Sequence, residues 1–184
     1  MPSSRYENHP YARWALASGC VGAAIVAIVF LVVDALVGRP LATPSALAAT
    51  LFLGEPFDLR REVDALLVAG YTAMHGSIFV GLASVVATIL FGRPTRPPRG
   101  RTLFVPVALL FFVSTTLLVW GFGLLSGVWL WNELGLALVT AANAAAACGM
   151  AAVIGYALRT RWVPRGIGEE RAIAVRRLGI RRGE

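Results

Sequence analysis

The 184-residue chain is 57% hydrophobic, with a mean hydropathy of +0.70, more apolar surface than a soluble domain of this size can hide but an acceptable load for a bilayer. Its formal charge of +7 rests on 17 arginines and no lysine, which in a soluble protein would point to nucleic acid. Here the arginines lie between and beyond long apolar runs, so the expected partners are membrane lipid and other membrane subunits or a second copy, with no nucleic acid.

The runs lie at about 14–37, 65–91, 103–131 and 134–158. Each exceeds the ~20 residues a helix needs to cross ~30 Å of hydrocarbon. Lipid offers backbone groups no water, so such runs form helices or strands of a closed barrel. Barrel strands alternate apolar and polar residues, whereas these runs are continuous. The fold class read from the sequence is an all-α integral membrane protein, a four-transmembrane-helix bundle with a short outer interfacial helix. The expected organisation is a cytoplasmic segment 1–13, a transmembrane domain 14–158 and a basic cytoplasmic tail 159–184.

The first run is longer than the ~7–15 residues of a signal-peptide core, so it reads as a retained span. Asp34 sits about one turn before its outer end. It is expected to pair with Arg39 or meet interfacial water, and the sharper reading is a proton- or cation-binding carboxylate at the outer mouth. The loop that follows contains a helix signal at about 44–53. Thr43 reads as its N-cap, Pro44 as its first helical residue and Gly54 as its stop. Asp58 is expected to cap the second span.

In the second span His75 lies ~16 Å below the outer charge Asp64 by helical rise, with Gly76 beside it and Tyr71 one turn outward. The loop 92–101 carries four arginines and three prolines, so it reads as a stiff turn. In the third span Ser114, Thr115 and Thr116 reach similar depth. In the fourth, Asn143 lies ~15 Å below Glu133. These positions predict a polar layer near the midplane: His75, Asn143, Thr115 and Thr140. The ordinary account of such a layer is interhelical hydrogen bonding. The functional accounts are a proton relay, a polar substrate pocket or an axial ligand to a macrocycle.

The fourth span is dense in small residues, Ala141, Ala142, Ala144 to Ala147 and Gly149, which let helices approach closely. A partner beyond this chain is therefore expected. In the tail, acidic Glu169 and Glu170 precede Arg176 and Arg177, a weak helix signal. Arg93, Arg96, Arg176 and Arg177 are expected to meet an anionic lipid surface.

Arginine bookkeeping sets the orientation. Fourteen arginines fall in the N-terminal segment, the second loop and the tail, against Arg39, Arg60 and Arg61 on the other side. The positive-inside rule then puts both termini in the cytoplasm of a bacterial inner membrane. Trp14 and Trp162 would mark one interface, Trp129 and Trp131 the other.

Zinc-protease, nucleophile-elbow and phosphate-loop motifs do not occur, and Cys20 and Cys148 form no CxxC pair. No catalytic residue, metal or cofactor is expected. The leading expectation is a non-catalytic accessory or structural subunit of a larger bioenergetic or transport complex. The alternatives are a small proton-coupled transporter using Asp34, His75 and Asn143, and a pigment- or haem-binding subunit with His75 as axial ligand.

Overall fold

A computed structural model describes residues 11–91 and 100–161 of the chain. The predicted lipid contacts of Arg93, Arg96, Arg176 and Arg177 fall outside these residues. The described residues form helices and connecting turns: α1 (Ala12–Leu36), α2 (Ala42–Ala48, continued by a π-helical turn Ala49–Leu53), α3 (Ala65–Phe91), α4 (Gly100–Ser126), α5 (Leu130–Glu133) and α6 (Leu136–Arg161). Four of them, α1, α3, α4 and α6, are long and apolar enough to cross a membrane.

Glycines in the left-handed region punctuate the long runs. The third run, expected to continue to 131, ends at Ser126 because Gly127 adopts φ +72. Ser126 closes the end by accepting the Val128 N–H at 3.1 Å. Gly135, at φ +87, resets the chain before α6, which starts at Leu136 and not at 134. Inside α4, Pro106 removes one backbone hydrogen bond, but it lies in the second turn, where little of the ladder precedes it.

Across the bundle the order is α3, α1, α6, α4. α1 packs against both α3 and α6, α6 packs against α4, and α3 barely meets α6. Small residues allow this. A Cβ on Gly19 would fall 2.4 Å from the Val80 Cα, so α1 and α3 touch backbone to backbone there. A Cβ on Gly22 would fall 2.5 Å from the Met150 sulfur, and one on Gly149 2.4 Å from Ile25 Cδ1, which locks α1 to α6. Ser18 adds a buried hydrogen bond, donating to the Met150 carbonyl at 3.1 Å. Phe111, Met150 and Ile154 fill the centre of the core. In lipid such contacts hold by dispersion and close packing, since lipid tails are as apolar as the side chains.

The end of the bundle that carries residues 37–64 and 127–135, the loop end, is organised by α2. This helix begins at Ala42, two residues before the expected start. Leu41 holds its N-cap position at φ +70. Thr43 does not cap α2 with its own side chain. It donates both its N–H and its hydroxyl to the Asp34 carboxylate, at 2.8 and 2.6 Å. The expected pairing of Asp34 with the Arg39 side chain is therefore replaced. The Arg39 guanidinium reaches the Arg60 and Arg61 carbonyls at 2.6 and 2.9 Å, and Arg61 pairs with Glu55. Asp58 does not cap α3: it accepts the Arg60 N–H at 2.7 Å. The cap is Asp64, which accepts the Leu66 and Leu67 N–H groups at 2.8 and 3.2 Å. Ser45 of α2 in turn accepts the Asp64 N–H at 3.1 Å. α2 is thus bonded to the end of α1 and to the start of α3, and Ala46, Ala48 and Ala49 are wholly buried. The short loop helix is enclosed by protein over residues 42–50, with Pro44 half-buried, while its last turn exposes Phe52 and Leu53.

Three tryptophans gather at the same end. Trp120 lies 5.6 Å from Trp129 and 5.1 Å from Trp131 between ring centroids. Gly123 makes room for Trp129, since a Cβ there would fall 2.8 Å from its ring.

Candidate binding site around His75

His75 sits midway along α3 in an aromatic ladder built by i±4 spacing. Its imidazole stacks on Tyr71 with centroids 5.6 Å apart and an interplanar angle of 20°. It also packs against Phe79 at 4.7 Å. The Ala23 carbonyl of α1 faces the imidazole. His75 Nε2 is buried and has no hydrogen-bond partner.

His75, Asn143 of α6 and Thr115 of α4 line one cavity of about 130 Å³. Three helices therefore bring a polar residue to the same space. Asn143 is only 8% exposed, and its amide makes no hydrogen bond among the described residues. Thr115 is different: its hydroxyl donates back to the Phe111 and Phe112 carbonyls, at 3.0 and 3.1 Å. It offers lone pairs to the cavity but no free proton. Thr140 does not join this group. It is exposed and lines no part of the cavity, because α6 turns Val139 inward there and Thr140 outward.

A second, larger space adjoins the first. A groove of about 920 Å³ runs between α1 and α3, bordered at the loop end by Leu41, Thr43 and Leu47. Val26, Phe30, Leu47, Tyr71 and His75 line both spaces. No Asp, Glu or Arg lines either one. Asp34, expected to work with His75 and Asn143, is occupied by Thr43 and lines neither space. Gly76, read from the sequence as room beside a macrocycle, does open onto the groove: a Cβ there would meet nothing within 4 Å. The 130 Å³ cavity itself admits small groups or a few waters, not a macrocycle. Among the described residues no three His, Cys, Asp or Glu side chains gather as metal ligands.

The opposite face of α6 is exposed. Ala137, Ala141, Ala145, Cys148 and Ala152 are all exposed, and their spacing of four, four, three and four residues puts them on one helical face. The sequence signalled small residues all round α6. Which of them the bundle itself consumes (Ala142, Ala146, Ala147 and Ala151 are buried) required the packing order of the helices.

No family model, curated protein or solved structure matches this chain.

Proposed function

We propose that this multi-pass membrane protein is a non-catalytic accessory or structural subunit that packs against a partner membrane helix along α6. The observation that carries this reading is the exposed row Ala137, Ala141, Ala145, Cys148 and Ala152. Small side chains at this spacing let a second backbone come close, and dispersion then favours association within lipid. The polar groups near the loop end support a structural role, because Asp34, Asp58 and Asp64 each act as a backbone cap or turn. The arginine asymmetry supports a bacterial inner-membrane location with both termini in the cytoplasm.

The test is native mass measurement after gentle extraction, comparing the wild type with Ala141→Leu and Ala145→Leu. A complex heavier than one chain, lost in both variants while helicity is kept, is the expected result. A monomeric wild type in gentle extraction overturns the reading.

The cavity at His75 favours a second reading, a small proton-coupled carrier that uses His75 and Asn143 without Asp34. Reconstituted vesicles with an internal pH dye test it. Proton movement that His75→Leu abolishes supports the carrier, and vesicles as tight as empty ones dismiss it.

A further inference from the structure

A buried ring nitrogen without a partner, His75 Nε2, and the amide of Asn143 line one cavity beside the groove between α1 and α3. His75 Nε2 has no hydrogen-bond partner, and neither has the Asn143 amide among the described residues. A buried polar atom left unpaired is costly and uncommon, so a hydrogen-bonding group from outside the chain, held in the cavity that His75 and Asn143 both line, would satisfy it. A neutral imidazole offers one donor and one acceptor, and an amide offers both. A hydroxyl, which also gives and accepts, matches that set.

The surroundings define the rest of the molecule. Neither the cavity nor the groove is lined by a charged side chain, and a charged head would be stranded there. The groove wall on α1 runs from Leu16 to Leu31, ~22 Å by helical rise. Ala23, which faces His75, divides that length into ~10 and ~12 Å, so a chain starting at His75 lies along one half of the wall and continues past exposed Leu16 or Leu31. The groove is continuous with exposed Leu16, Ile28 and Leu31, which gives it a lateral opening. Val26, Phe30, Leu47, Tyr71 and His75 line both the groove and the cavity.

We propose that the two spaces form one site for a neutral long-chain lipid with a hydroxyl-bearing head. The head lies hydrogen-bonded between His75 and Asn143, and the chain lies in the groove between α1 and α3. This site is on the far side of the protein's packing from the α6 row and does not depend on a partner helix.

The test uses monoolein as probe, with oleate in alkaline buffer as the charged molecule of the same chain. Binding to the full-length chain in micelles is read by native mass spectrometry. Gly76→Phe fills the groove where an added Cβ meets nothing, and Gly121→Phe is the control at an equally open position on α4 that lines neither space. The wild type and Gly121→Phe are expected to hold a single monoolein. Gly76→Phe, His75→Leu and Asn143→Leu are expected to weaken it by about tenfold or more, and oleate is expected to bind the wild type about tenfold more weakly. Undiminished binding by Gly76→Phe, oleate binding as tight as monoolein, or no saturable monoolein binding overturns the proposal. Loss of the α6 association alone leaves monoolein binding intact, so the two readings fail separately.

Discussion

The Asp34 carboxylate on α1 and Thr43 in the first turn of α2 are joined twice, through the Thr43 N–H at 2.8 Å and its hydroxyl at 2.6 Å. A carboxylate at the start of a helix satisfies an otherwise orphaned N–H and suits the helix dipole. Here the cap comes from the preceding helix, so the same pair of bonds also fixes the turn at 37–41. Asp34→Ala is expected to destabilise the fold by ~1–3 kcal/mol, and Thr43→Val by less. Because the two residues share one interaction, the double variant should cost less than the sum of the singles. Thermal unfolding in detergent measures all three, and strict additivity would refute the shared bond.

Glycines on α1 and α3 should respond in opposite directions. Gly19→Ala drives a Cβ to 2.4 Å from the Val80 backbone, and overpacking of this kind costs ~1–3 kcal/mol. Gly76→Ala and Gly81→Ala meet nothing within 4 Å, and alanine is the better helix former by ~1 kcal/mol. The melting temperature should fall for the first and hold or rise for the other two. A fall for Gly76→Ala matching that of Gly19→Ala would mean that α3 packs differently along the groove.

His75→Leu provides a sign test. Interhelical hydrogen bonding, the reading from sequence, predicts a loss of ~1 kcal/mol. The unpartnered Nε2 offsets this, because an apolar replacement removes a buried atom that is not satisfied. Lipid-depleted protein should therefore melt no lower as His75→Leu than as wild type. A clear drop would show that His75 holds the bundle together.

Leu41 holds a left-handed conformation at φ +70, unlike any other described non-glycine residue. An L side chain there costs ~1–2 kcal/mol. Leu41→Gly relieves that strain at some cost in chain entropy, so a net gain of up to ~1 kcal/mol is expected. Differential scanning calorimetry in detergent is the measurement, and a loss would mean that the Leu41 side chain contributes more at the mouth of the groove than its backbone gives up.

The four long helices were legible because run length and continuous apolarity depend on local composition alone. The bounds of α3 agreed at both ends, and Gly54, at φ +69, stops the loop helix as its position suggests. What escaped was set by partners distant in sequence. Asp34 looked like an isolated membrane carboxylate because its partner lies across a turn, in a residue that itself resembled a cap. The meeting of His75, Asn143 and Thr115 around one cavity was readable from depth, since helical rise converts position into height. Rotation about each helix axis was not readable, and that is why Thr140, three residues from Asn143 and at a similar height, was grouped with it and in fact faces outward. α6 is small-residued on every side, so its apolar periodicity carried no information about which face the bundle uses.

The contact between Gly19 and Val80 has a mechanical consequence. Gly19 is seven residues from the start of α1 and seventeen from its end, and within one turn of it Ser18 and Gly22 hold α1 to Met150 of α6. α1 is thus gripped on two sides near one level, ~10 Å from one end and ~26 Å from the other. A tilt of α1 would have to carry α3 and α6 with it.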